Sequence, residues 1–199
     1  MMIKILIAVP TFENISPDTF KSIYGLTRPQ DTIIQFDYIK GYDCARARNL
    51  IAKEAIEYGF DYVLMVDSDI TLPSDTLIKM LDQPVDVCLG CYPRKNTIDE
   101  IVELFKLNQK DYVTTFKAEE IDSFKGRVEV KGGGFGCAFI KVDVFNKLKY
   151  PWFKYVEYDN GDILSEDNYF CSTLADKKIK IYAHTDIRCG HTVHKSQWR

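Results

Sequence analysis

One apolar run that ends in two carboxylates constrains this chain more than any other stretch. Tyr62–Val66 is continuously apolar, and Asp67, Ser68 and Asp69 follow it directly. An apolar run of this length between polar residues predicts a strand that is buried on both faces. Because residues two apart on a strand point the same way, Asp67 and Asp69 are predicted to lie side by side at its carboxyl edge, if the strand continues through them.

Two convergent carboxylates at the end of a strand predict a cation site. Ligands of open α/β sheets bind at the carboxyl edge of the strands. The negative charges of Asp67 and Asp69 repel each other unless a cation or a proton lies between them. Mg²⁺ and Mn²⁺ accept oxygen ligands and commonly bridge to phosphates, so a divalent ion beside a diphosphate is the favoured interpretation. A solvated acidic turn is the alternative.

The chain as a whole predicts one ordinary globular domain. Its 199 residues are enough for a single sizeable core, and 46% of them are hydrophobic. The net charge of -3 shows no basic excess, so nucleic acid is not an expected partner. No apolar run is long enough for a transmembrane helix, and the first residues do not form a convincing signal peptide. The six cysteines lie scattered in apolar segments, which indicates buried thiols in a reducing, cytoplasmic setting.

Alternating apolar runs and amphipathic segments predict a parallel sheet flanked by helices. The predicted strands span residues 3–9, 32–39, 62–66, 85–91, 127–131, 137–141 and 178–182. Helices are predicted to begin after the N-cap candidates Ser16 and Asp43. The order β-α-β-α-β-α-β in the first half is typical of an α/β fold. Residues 96–125 are charged and irregular, and they are interpreted as an insertion at the edge of the sheet.

Charged residues near two predicted helix starts suggest a site. Arg48 lies in the first turns of its helix, where a cation opposes the helix dipole. It is therefore expected to serve an anion or the carboxylates of the central strand. A later helix is predicted to start after Ser165 as N-cap, which places Glu166 and Asp167 at the positive end of the dipole.

Two further segments are unusual in composition. Residues 132–136 contain four glycines in five positions, which predicts close backbone approach, positive φ or a bulge. All three histidines lie in the last sixteen residues, and this clustering favours a ligand role. Cys189, His191 and His194 are a second interpretation of that tail, as part of a zinc site without an evident fourth ligand.

Several motifs in one order resemble a known family. They are the strand and loop at 7–14, the helix start at 45–49, Asp67-Ser68-Asp69, the glycine-rich segment at 132–140, Glu166-Asp167, and His191 near the C-terminus. In this order they resemble the GT-A-fold glycosyltransferases, especially the large inverting family-2-like group. The resemblance implies a Rossmann-like α/β fold with a mostly parallel central sheet flanked by helices and a small mixed or antiparallel acceptor-side part. It also implies one domain, 1–199, with a nucleotide-binding half at 1–95 and an acceptor-side half with a metal-binding tail at 96–199.

The resemblance implies roles for individual residues. The nucleotide would contact Pro10, Thr11, Glu13, Arg48, Asp67, Ser68 and Lys195. Mn²⁺ or Mg²⁺ would be held by Asp69, His191 and Asp67. The acceptor side would include Gly133, Gly134 and Phe135, with Asp167 as general base on the acceptor hydroxyl and Glu166 holding the acceptor.

The implied reaction is metal-dependent transfer of a sugar from a nucleotide sugar, with UDP favoured, to a hydroxyl of a glycan or other acceptor, with inversion. Such transfer needs a cation on the departing diphosphate and a separate carboxylate for the acceptor, and this sequence offers both. Asp67-Ser68-Asp69-Ile70-Thr71 also resembles the haloacid-dehalogenase-type phosphatases, with Asp67 as nucleophile. Their nucleophile normally follows the first strand, whereas two strands precede Asp67 here. A non-catalytic module that binds sugar nucleotides is the third alternative.

Overall fold

A computed structural model gives the structure of the protein and describes residues 2–95, 101–110 and 112–192. The helices are α1 Pro17–Tyr24, α2 Cys44–Glu57, α3 Thr76–Leu81, α4 Ala118–Asp122, α5 Asp143–Lys147 and α6 Glu166–Asp176. The strands are β1 Ile3–Thr11, β2 Thr32–Lys40, β3 Tyr62–Val66, β4 Ile70–Thr71, β5 Val87–Cys91, β6 Ile101–Leu107, β7 Val113–Lys117, β8 Arg127–Val130, β9 Gly132–Gly133, β10 Cys137–Lys141, β11 Val156–Glu157, β12 Ile163–Leu164, β13 Ile181–Arg188 and β14 Gly190–His191.

A central sheet of seven strands, in the order β2-β1-β3-β10-β5-β13-β8, organises the described residues. Strands β1, β2, β3, β5 and β13 run in one direction, and β10 and β8 run against them. The prediction of a mostly parallel α/β sheet is therefore confirmed. The carboxyl ends of β1, β3 and β5 meet at one edge, where ligands of such sheets bind.

Both faces of the sheet are covered by helices. One core contains side chains of α2, α5 and α6, including Ile51, Phe145 and Phe170. The other contains Ile23 of α1 and Leu77 of α3. Residues of β3 alternate between the two cores, which explains why this strand is apolar at every position. None of the helices in the described ranges is long and apolar enough to cross a membrane.

The central strand β3 ends before the two carboxylates that follow it in the sequence. Strand β3 stops at Val66, and the amide of Ile70 donates to the carbonyl of Asp67 over 3.1 Å, which closes a turn. Asp67 and Asp69 therefore do not follow strand alternation, and the expectation that they point the same way for that reason is wrong. We call residues Asp67 to Asp69 the carboxylate turn.

The segment interpreted as an irregular insertion is regular where the structure describes it. Strands β6 and β7 form an antiparallel pair, and β6 also pairs with β9 in a three-stranded sheet. In β6, the buried residues Val102 and Leu104 alternate with less buried neighbours, which is the pattern of a half-buried strand. The charged residues of this segment, such as Glu103 and Lys106 within β6, obscured that alternation in the sequence.

Candidate active site

Three distant segments hold the backbone of the carboxylate turn. The amide of Asp67 donates to the carbonyl of Gly136 over 3.1 Å, and the amide of Ser16 donates to the carbonyl of Ser68 over 2.8 Å. The amide of Thr192 donates to the carbonyl of Asp69, also over 2.8 Å. The turn is thus fixed by the glycine-rich segment, the start of α1 and the C-terminal segment.

The carboxylate turn borders a pocket of about 290 Å³ at the carboxyl edge of the sheet. Its lining comprises Pro10, Thr11, Phe12, Tyr42, Asp43, Cys44, Asp67, Ser68 and Asp69. Five of the residues expected to contact a nucleotide or metal therefore lie together here. Glu13 is exposed and outside the lining, and Lys195 lies outside the described residues. Larger pockets elsewhere, of about 460 and 930 Å³, contain none of the expected site residues.

Arg48 joins the carboxylate turn to the start of α6. Its side chain is 2% exposed, and Nη2 donates to Oδ1 of Asp67 over 2.7 Å, while Nη1 donates to Oε1 of Glu166. Burial lowers the pKa of Arg48, but the surrounding acidic groups, Asp67 foremost, outweigh burial and raise it above its ordinary value. The guanidinium also lies 5.8 Å from the centre of the Phe135 ring.

These contacts confirm that Arg48 serves a carboxylate of the central strand. Its expected place beside the nucleotide stays a prediction, and its side chain is 2% exposed in the structure. Glu166, expected to hold the acceptor, is likewise buried, with its carboxylate against Arg48. The two ion pairs of Arg48 thus link the carboxylate turn to the start of α6.

Asp167 occupies the start of α6. The helix begins at Glu166 as predicted, but Ser165 makes no side-chain capping bond to the backbone. Its hydroxyl donates instead to Oδ1 of Asp167, which also accepts the amide of Asn168 over 2.7 Å. The hydrogen bonds that the structure describes at the Asp167 side chain fall on Oδ1.

Asp69 and His191 come together because the C-terminal segment pairs with the strand after the carboxylate turn. Strand β14 lies antiparallel to β4, with His191 opposite Ile70. Nε2 of His191 lies 3.6 Å from Oδ1 of Asp69, and Lys95 contacts Oδ2 of the same carboxylate through its ammonium. Burial raises the pKa of Asp69, but hydrogen bonds from His191 and Lys95 outweigh it and lower this pKa to about 2.

The orientation of His191 suits a metal ligand. Its Nδ1 donates to the carbonyl of Pro93 over 2.8 Å, and a backbone carbonyl at the second ring nitrogen is the usual partner of a metal-binding histidine. Nε2 faces Asp69: it donates to this carboxylate when the ring is protonated, and it carries a lone pair when the ring is neutral. Neighbouring ligands of an octahedral ion with bonds near 2.1 Å lie about 3 Å apart, close to the separation observed here.

Asp69 and His191 therefore fit a divalent ion as two of its ligands. Asp67, expected as a third, turns to Arg48 instead. In the ranges that the structure describes, no three His, Cys, Asp or Glu side chains converge as a metal site. Cys189 is buried, with its thiol against that of Cys137, so it belongs to the core; His194 of the zinc interpretation lies outside the described residues.

Several neighbours crowd the glycine-rich segment, and Tyr92 crowds two of its positions, Gly134 and Gly136. A Cβ on Gly134 would lie 2.0 Å from the Tyr92 hydroxyl oxygen, and that oxygen accepts the amide of Gly136 over 3.1 Å. The predicted close backbone approach is therefore confirmed. Gly133, Gly134 and Phe135 are all buried, and the Phe135 ring packs edge-on against Phe170. The structure shows these residues packed in the core, and their expected contact with the acceptor or the sugar stays a prediction.

Sequence reasoning assigned no function to Tyr92 or Lys95, which directly follow β5. The ring edge of Tyr92 contacts His191 at a centroid distance of 5.6 Å, and Lys95 reaches Asp69. Their position after a predicted parallel strand was the sequence signal that could have identified them, because β5 ends at the same edge of the sheet as β3.

Comparisons with solved structures define the class of fold. A197 from STIV aligns with a TM-score of 0.64 and 20% identity over 96% of this chain and 86% of its own. GalNAc-T7 with UDP, GalNAc and Mn²⁺ gives 0.62 and 11% identity over 100% of this chain and 45% of its own. TarS of S. aureus with UDP-GlcNAc gives 0.53 and 13% identity over 99% of this chain and 62% of its own.

The fold of this chain is that of the GT-A glycosyltransferases. The chain spans less than two thirds of the GalNAc-T7 and TarS structures. No protein-family model matches the chain, and no curated protein matches it.

Proposed function

We propose that this protein is a metal-dependent glycosyltransferase that moves a sugar from a UDP-linked donor to a hydroxyl of a glycan or another acceptor, with inversion. The observation that carries the proposal is the pairing of Asp69 with His191 beside the pocket at the carboxyl edge of the sheet. The similar fold of GalNAc-T7, a structure with UDP, GalNAc and Mn²⁺, supports a nucleotide sugar and a divalent ion as ligands.

The donor would lie in the pocket between β1, the start of α2 and the carboxylate turn. Asp69 and His191 would hold Mn²⁺ or Mg²⁺ against the diphosphate, and the bound ion would stabilise the negative charge of the departing group. Thr11 also lines this pocket. Its hydroxyl donates to the carbonyl of Asn14 over 2.9 Å, and this hydrogen bond holds the loop after β1 beside the donor site. Asp67, held by Arg48 through Oδ1, also lines this pocket.

Asp167 would remove the proton from the acceptor hydroxyl. The transition state of glycosyl transfer resembles an oxocarbenium ion, so the acceptor proton becomes acidic late, and a carboxylate suffices as its base. The contacts of Ser165 and Asn168 fix Oδ1 of Asp167. Oδ2 would then take the proton. Arg48 would hold the start of α6 at a constant distance from the donor site through Glu166 and Asp67.

We also propose that residues 1–95 serve the nucleotide and residues 96–199 the acceptor and the metal within one domain. Strand β10, from the second half, lies between β3 and β5, from the first half. This interleaving favours a single cooperative unit over two separable halves.

Calorimetry of UDP binding with and without Mn²⁺ tests the proposal. Asp69→Asn should lose Mn²⁺-dependent binding and keep its fold, because the neutral amide is a poor ligand for a hard ion. Asp86→Asn is the matched control, since Asp86 is a partly exposed carboxylate that pairs with Lys147 at a distance of 3.7 Å. Unchanged UDP affinity in Asp69→Asn with Mn²⁺ present would refute the assignment.

A thermal-shift assay with a panel of nucleotide sugars identifies the donor, because a ligand that binds only the folded protein raises its stability.

Turnover assays separate the remaining alternatives. Transfer to an added acceptor would support the transferase. Release of phosphate from simple phosphomonoesters would instead favour the phosphatase with Asp67 as nucleophile. Binding of UDP sugars without any turnover would favour the non-catalytic module.

A further inference from the structure

The segment after β5 surrounds the candidate metal ligands with contacts. Tyr92 packs its ring edge on His191, Pro93 accepts from Nδ1 of His191, and Lys95 pairs with Asp69. Both oxygens of the Asp69 carboxylate are thereby engaged: Oδ1 faces His191, and Oδ2 holds the ammonium of Lys95. A metal between Oδ1 and His191 would therefore bind a carboxylate whose second oxygen already contacts a cation of the chain itself.

A lysine ammonium and a divalent ion on the two oxygens of one carboxylate disfavour each other. The ammonium has three N–H donors and no lone pair, so it cannot join the coordination shell of a metal. Two cations on one carboxylate also repel each other strongly at such short range. The Lys95 side chain is 42% exposed and has a flexible stem, so it can leave without disturbing the core.

We infer that Lys95 is a displaceable counter-ion, which neutralises Asp69 until a metal ion with a nucleoside diphosphate replaces it, and which then pairs with the diphosphate. This inference rests on the proposed function. Once the ammonium of Lys95 leaves Asp69, it needs another anion. The diphosphate is that anion, because it binds beside Asp69 together with the metal ion. Metal and nucleotide are therefore coupled: the metal alone must expel Lys95 without compensation, whereas the diphosphate gives Lys95 a new partner.

Binding of Mn²⁺, followed through the electron paramagnetic resonance signal of the free ion, measures this coupling. The protein and Lys95→Met are titrated with Mn²⁺ alone and with Mn²⁺ in the presence of UDP. We expect Lys95→Met to bind Mn²⁺ alone about tenfold more tightly, and UDP to enhance that binding about tenfold less than in the unchanged protein. The matched control is Lys147→Met, which removes a lysine that is 44% exposed and pairs with Asp86 and Asp143.

Each outcome decides the inference. Both shifts in Lys95→Met, with neither in Lys147→Met, support it. If either shift is missing, or if Lys147→Met gives the same shifts, Lys95 is not the counter-ion and the inference falls while the proposed function stands. If the unchanged protein binds no Mn²⁺ even with UDP, the proposed function fails, and the inference fails with it.

Discussion

The loss of Arg48 should destabilise the protein more than the loss of any exposed arginine. Arg48→Met keeps most of the side-chain volume but removes the charge between Asp67 and Glu166. Glu166 is 8% exposed and would stay buried without a cationic partner, which costs about 3–5 kcal/mol. Asp67 is 31% exposed and can be hydrated, so its share is about 1 kcal/mol or less. For a chain of this size, a loss of about 4 kcal/mol lowers Tm by roughly 8–16 °C.

Urea unfolding followed by circular dichroism measures this loss as a free energy of unfolding. Arg188→Met is the matched control, because Arg188 is exposed and pairs with an exposed carboxylate, so its loss should cost below about 1 kcal/mol. The double variant Arg48→Met with Glu166→Leu should recover most of the stability, since it removes both buried charges together. A loss below about 1 kcal/mol in Arg48→Met, or no recovery in the double variant, would refute the reasoning.

Three further predictions concern the base, the glycine-rich segment and a surface carboxyl group. Asp167→Asn should lower turnover about 10²–10⁴-fold with UDP affinity unchanged, as steady-state kinetics and calorimetry can show; intact turnover would contradict the catalytic role. Gly134→Ala should cost about 1–3 kcal/mol in urea unfolding, because its Cβ meets the Tyr92 hydroxyl at 2.0 Å, and Tyr92→Phe in the same chain should relieve part of that cost. Burial and then Asp37 raise the pKa of Glu54 from 4.5 to about 7, so the folded protein holds a proton that the unfolded chain releases. Stability should therefore fall as pH rises from 4.5 to 7, and Glu54→Gln should flatten that slope; an unchanged slope would contradict it.

Local patterns in the sequence were enough to predict most of the sheet and two features of the site. The apolar run of β3 and the order of strands and helices predicted the α/β sheet, because burial on both faces leaves a direct record in side-chain polarity. Asp43 was predicted as an N-cap, and its side chain accepts the amide of Arg46 over 3.0 Å. The position of Arg48 in an early helical turn predicted a carboxylate partner, because a cation there is unfavourable without one.

The partners of these residues were decided by the tertiary structure. Arg48 meets Glu166 across 118 residues, and no periodicity in either helix reports that their ends face each other. Tyr92 crowds Gly134 and Gly136, and Lys95 contacts Asp69, because β5 and β3 end at the same edge of the sheet with β10 between them. A sequence pattern reports how buried a residue is within its own segment. Which segments meet depends on strand order and packing, and that determined which carboxylate of the turn is paired with Arg48 and which one faces His191.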